Sequence, residues 1–74
     1  MTHKQIGQGH EIATYMINKA TERKKMLIGI MERYAKEHSW FYVYKLVKKM
    51  KPSASLSSDD IDFMTAYAKA RYLE

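Results

Sequence analysis

A chain of 74 residues without cysteine holds one small domain that no disulfide or thiolate-bound metal can staple. Its longest apolar runs, Met26–Met31 and Trp40–Tyr44, fall far short of the ~20 residues needed to cross a bilayer, and the polar start Met1–Glu11 has no hydrophobic signal segment, so a soluble cytoplasmic protein with no membrane association is expected. The net charge of +5 is unevenly placed: residues 1–52 carry eleven Lys/Arg against four Glu, whereas residues 53–74 carry two against four Asp/Glu. A polyanionic partner would therefore meet the first two thirds of the chain.

Met1–Gly9 has the character of a flexible arm. His3, Lys4, Gln5 and Gln8 show no apolar period, and Gly7 and Gly9 oppose a helix. Gly7-Gln8-Gly9 lacks the preceding strand and the third glycine of a dinucleotide-binding fingerprint. Residues 10–74 then form the single domain.

Between His10 and His38 there is no proline, and Ile12, Met16, Ala20, Leu27, Met31 and Tyr34 recur at helical spacing. Ile17, Ile28, Ile30 and Ala35 widen this stripe, and Glu32 with Lys36 makes an i,i+4 pair on the outer face. One straight helix over this segment would be ~43 Å long. A domain of this size has a radius of gyration of ~11 Å and a diameter of roughly 30 Å. Either the helix breaks at the polar cluster Thr21–Lys25, or it projects and pairs with a second copy. The break is favoured, which makes four helices rather than three.

Ser39 is a candidate N-cap for a helix through Lys51, with Trp40, Val43, Val47 and Met50 on one face. The aromatic run Trp40–Tyr44 has high β-propensity, so a short strand is the competing reading. Pro52 disfavours helix at Lys51, and Pro52–Leu56 becomes a connector. Ser57 and Asp60 have the spacing of a capping box, flanked by Leu56 and Ile61 as a hydrophobic staple. Asp59, Asp60 and Asp62 suit the positive end of the helix dipole. The helix from Ser57 to Leu73 is apolar around most of its circumference, which places it either at the centre of the core or in an oligomer interface.

Catalysis has little support. His3, His10 and His38 are scattered, the serines are explained by the connector and the cap, and there is no glycine-rich phosphate loop. No metal site, catalytic residue or cofactor is expected, and the protein is read as not an enzyme.

The fold class is all-α, with three or four helices. The lysine-ended helix, short turn and capped helix over Met26–Glu74 resemble the outline of helix-turn-helix modules, which implies DNA contact. The chain departs from that outline where its last helix opens on three aspartates, which would repel phosphate. The nucleic-acid face is instead assigned to Lys19, Arg23, Lys24 and Lys25 with Lys45, Lys48, Lys49 and Lys51, and Tyr42 and Tyr44 are available to stack on bases. The lead expectation is a non-enzymatic regulatory protein bound to DNA or RNA. The alternative is a protein-binding adaptor or inhibitor docking through Trp40, Phe41, Tyr44, Phe63 and Tyr67, aided by adaptable methionines. A chain this short buries only about 60% of its unfolded surface, so a homodimer or higher oligomer is also expected.

Overall fold

Three hydroxyl side chains set where helices begin. Thr21 accepts a hydrogen bond from the backbone N–H of Lys24 at 3.3 Å, Ser39 from Tyr42 at 3.0 Å, and Ser57 from Asp60 at 3.2 Å. Each satisfies a first-turn N–H that has no partner inside its own helix. In the computed structural model, which describes residues 2–73 and the surroundings of side chains from residue 9 onward, the result is four helices: α1 (Thr2–Lys19), α2 (Glu22–Glu37), α3 (Trp40–Lys48) and α4 (Ser58–Tyr72).

The break between α1 and α2 falls at Ala20-Thr21, within a residue of the polar cluster that suggested it. The Ala20 N–H turns back to the Ile17 carbonyl at 3.2 Å, and Thr21 then takes extended backbone as the N-cap of α2. The aromatic run Trp40–Tyr44 is helical, so the strand alternative falls away. Among the described residues the β-type pairing is confined to one bridge: Ser53 and Leu56 exchange both backbone hydrogen bonds, at 2.8 and 3.2 Å, across the connector.

The backbone is helical from Thr2, so residues 2–9, read from the sequence as an arm, belong to α1. A glycine disfavours a helix by only ~1 kcal/mol, which its neighbours and packing can offset, and Gly9 is itself buried. The inner face of α1 also differs. Ala13 is buried and Met16 and Ala20 pack against the core, while Ile12, Tyr15 and Ile17 are exposed. Small residues on the inner face let two helix backbones approach closely.

α4 is central. It packs against α1, α2 and α3, and buries residues around about half of its circumference: Asp60, Ile61, Met64, Tyr67, Ala68 and Ala70. That is the central core position expected of a helix apolar on so many sides. Tyr67 and Met31 are the largest fully buried side chains, joined by Leu27, Ile28, Val43, Val47 and Ala13. Trp40 meets the Tyr67 ring edge-on at 5.7 Å, and Phe63 stacks on it at 6.3 Å. Glu32 does not take Lys36 as its ion-pair partner. It accepts from Arg71 Nη1 at 3.0 Å, tying α2 to α4, and the same Nη1 donates to the Tyr67 hydroxyl at 2.8 Å.

Two substitutions test this account. Gly29 is exposed in α2, and an added Cβ there would meet nothing within 4 Å. Gly29→Ala is expected to raise stability by about 0.5–1 kcal/mol, read from the urea midpoint by circular dichroism. Ser57→Ala removes the α4 cap and is expected to lower stability by ~1 kcal/mol in the same assay.

Candidate nucleic-acid interface

The eight cations assigned from the sequence do not form one surface. Arg23 is committed elsewhere. Its Nε donates to both oxygens of Asp60 at 3.2 Å, and its Nη2 donates to Asp60 Oδ2 at 2.8 Å and to the Ser55 carbonyl at 2.8 Å. Lys24 is half-buried with its ammonium 5.2 Å from the Phe63 ring centre, and Lys19 lies 5.9 Å from that of Tyr15. Lys25 and Lys51 are exposed.

Lys45, Lys48 and Lys49 do come together. They line a shallow depression of about 490 Å³ with Phe41 and Tyr44. Phe41, Tyr44, Lys45 and Lys48 stand at i, i+3, i+4 and i+7, one face of α3. Lys45 sits over the Phe41 ring at 5.3 Å and Lys48 over the Tyr44 ring at 5.5 Å. Tyr72, from the last turn of α4, completes the aromatic group at 5.1 Å from Phe41 and 6.0 Å from Tyr44, nearly parallel to the latter at 11°. Phe41 and Tyr72 keep 48% and 44% of their surface exposed, so the group faces solvent. The ion pairs formed among the described residues are Arg23–Asp60 and Arg71–Glu32, and neither uses an α3 lysine. A cation–π contact at an exposed site is worth only ~0.5–1 kcal/mol, so these ammonium groups are readily recruited by a phosphate.

The two groups of cations lie at different places on α4. Lys24 is anchored over Phe63, while the α3 lysines neighbour Tyr72. Nine helical positions separate Phe63 from Tyr72, roughly 13 Å along the axis and about half a turn around it. A continuous face across both groups is therefore replaced by one compact cluster on α3.

The aromatics assigned to a protein interface also divide. Tyr67 is fully buried, and Trp40, Tyr44 and Phe63 are half-buried against the core; only Phe41 of the five is exposed. Tyr42 lies against the His38 ring, centroids 4.1 Å apart and tilted by 32°. The exposed apolar surface lies instead between α2 and α3, where Ile30, Tyr34, Leu46 and Met50 rim a groove floored by Met31, Val43 and Met64. Tyr72 and this groove were both missed in the sequence. The i, i+3, i+4, i+7 spacing of rings and lysines in α3 was a signal for the first. Met26, Ile30 and Tyr34 at intervals of four were a signal for the second.

Among the described residues no group of three His, Cys, Asp or Glu side chains could hold a metal ion, and no helix is long and apolar enough to cross a membrane. No family model, curated protein or solved structure matches this chain.

Among the described residues, Asp60 is the acid whose environment perturbs it strongly. The hydrogen bonds from Arg23, then the one from the Ser57 backbone N–H, hold its carboxyl at about 2 against an ordinary 3.8, opposed by partial burial. The same contact raises the Arg23 guanidinium above its usual value. Because the folded-state value of Asp60 is the lower one, its contribution to stability is complete above about pH 4 and is lost as pH falls towards 2. Asp60→Asn is expected to lower the urea midpoint at neutral pH and to flatten its fall between pH 4 and 2, measured as a series of midpoints against pH.

Proposed function

We propose that this protein is a small non-enzymatic regulatory protein that contacts DNA or RNA through the α3 face carrying Lys45, Lys48 and Lys49. The observation that supports it is the gathering of three lysines outside the ion pairs beside the rings of Phe41 and Tyr44, with Tyr72 next to both rings. Three ammonium groups near the end of α3 outweigh the roughly half unit of negative charge that a helix presents at its C-terminus, so phosphate is attracted there. Lys51, exposed just beyond the helix, extends the positive field.

This reading does not use α4 as a recognition helix. Three neighbouring helices cover its sides, and its first turn carries Asp59 and Asp60. Contact is made chiefly with the phosphate backbone, which positions a protein without reading sequence.

A second reading has its own observation. The α2–α3 groove is apolar, and Leu46 belongs both to its rim and to the neighbouring depression lined by Tyr42, Lys45 and Lys49. An apolar trough with one cationic border suits an amphipathic helix of another protein with acidic residues along one flank. Light scattering that finds a stable dimer buried through this groove would assign it to self-association instead.

Salt separates the two readings. Three phosphate contacts predict that log affinity falls against log salt with a slope of about −2 to −3, whereas apolar docking changes far less. Replacing Lys45, Lys48 and Lys49 together by Glu is expected to abolish nucleic-acid binding with helicity unchanged by circular dichroism. Unaltered binding would refute the assigned face.

A further inference from the structure

We infer that the α3 surface takes single-stranded nucleic acid in preference to duplex. The inference rests on the nucleic-acid reading above and sharpens its substrate class.

The first observation is the rings themselves. Phe41, Tyr44 and Tyr72 form a contiguous group in which Phe41 and Tyr72 are exposed to solvent and Tyr44 is half-buried. In a duplex, the face of each base is already occupied by its stacked neighbours, so the rings would have no partner. In a single strand the base faces are free, and stacking on aromatic side chains is the usual source of sequence-tolerant affinity.

The second observation is how cations and rings alternate. Lys45 and Lys48 stand over Phe41 and Tyr44 at 5.3 and 5.5 Å. A base arriving on a ring displaces the ammonium resting there, and the phosphate attached to that nucleotide receives it. The free state thus keeps the rings covered by groups that the strand itself would use. Duplex binding offers the phosphate half of this exchange without the base half.

The third observation is shape. The surface is a shallow depression along α3, lined by Phe41, Tyr44, Lys45, Lys48 and Lys49, with the Tyr72 ring beside Phe41. A helix that reads a duplex groove must project into it. A shallow surface with two rings beside three lysines leaves room for splayed bases, and the buried inner face of α3, Val43 and Val47, holds the helix against the core.

Fluorescence anisotropy with the full chain tests the inference. The probes are labelled single strands of about 12 nucleotides, oligo-dT and oligo-U, a mixed-sequence duplex of equal length, and heparin as competitor. Single strands are expected to bind about tenfold or more tightly than duplex. The Phe41→Ala/Tyr72→Ala double variant should lose about tenfold for single strands and little for duplex. Should that variant fail to fold, the exposed position Phe41→Trp gives a second readout: its tryptophan fluorescence should be quenched by oligo-dT and not by duplex. Equal or tighter duplex binding would overturn the single-strand preference while leaving the nucleic-acid reading intact. Binding that heparin competes as well as oligo-dT does, strand for strand, would show charge alone and overturn the preference too. Absence of binding to every nucleic acid would overturn both.

Discussion

The carboxylate of Asp60 joins segments that lie up to 37 residues apart in the chain. It accepts from the Ser57 N–H to close the capping box of α4, and from the Arg23 guanidinium to fasten the first turn of α2 to the first turn of α4. With only 7% of Asp60 exposed, these donors replace the water it has lost. Arg23 then reaches on to the Ser55 carbonyl and fixes the connector. Without this corner, the direction in which α4 leaves the connector would have little to define it, and α4 is the element on which the others pack. The interaction is electrostatic in kind and architectural in effect, which is why a side chain that looked like a ligand-binding cation is withdrawn from that role.

A single central helix is an economical answer to small size. A chain without disulfides has little interior to share, so one helix apolar on most sides lets three others bury a face each. Tyr67 shows how the centre is filled. Its ring packs edge-on with Trp40 and flat against Phe63, and its hydroxyl accepts from Arg71. A buried aromatic with a satisfied polar end fills space and fixes orientation together. The outer faces of α2 and α3 keep apolar side chains that this arrangement has no means of covering, and the same limit leaves Phe41 and Tyr72 in solvent.

Much of the fold was legible because its signals are local. Ser39 and Ser57 announced their helices through short-range hydrogen bonds, Pro52 marked the connector, and the length of a 10–38 helix against the size of the domain pointed to the break at Thr21. The assignment of side chains to faces was less legible. Ile12 matches the helical stripe yet stays outside, because the approach of α1 to α4 selects Ala13, and Tyr34 stays outside because α2 turns Leu27, Ile28 and Met31 inward. The candidate site was hardest to read. Whether a lysine is available depends on pairings with distant residues, as Arg23 and Asp60 show, and Tyr72 reaches Phe41 across 31 positions of sequence. Such proximity is a property of tertiary packing, and spacing alone does not encode it.

The attachment of α1 has a consequence for how the molecule comes apart. Its substantial packing is with α4 alone, through a seam that includes Ala13, Met16 and Ala20, while Ile12, Tyr15 and Ile17 already face water. Lifting α1 away would break one seam and leave the mutual contacts of α2, α3 and α4 in place, so this opening demands less free energy than melting the three that brace one another. Amide protons of the first helix would accordingly exchange through a partial detachment, ahead of the cooperative core, and the bared side of α4 would be the transient surface such an event presents.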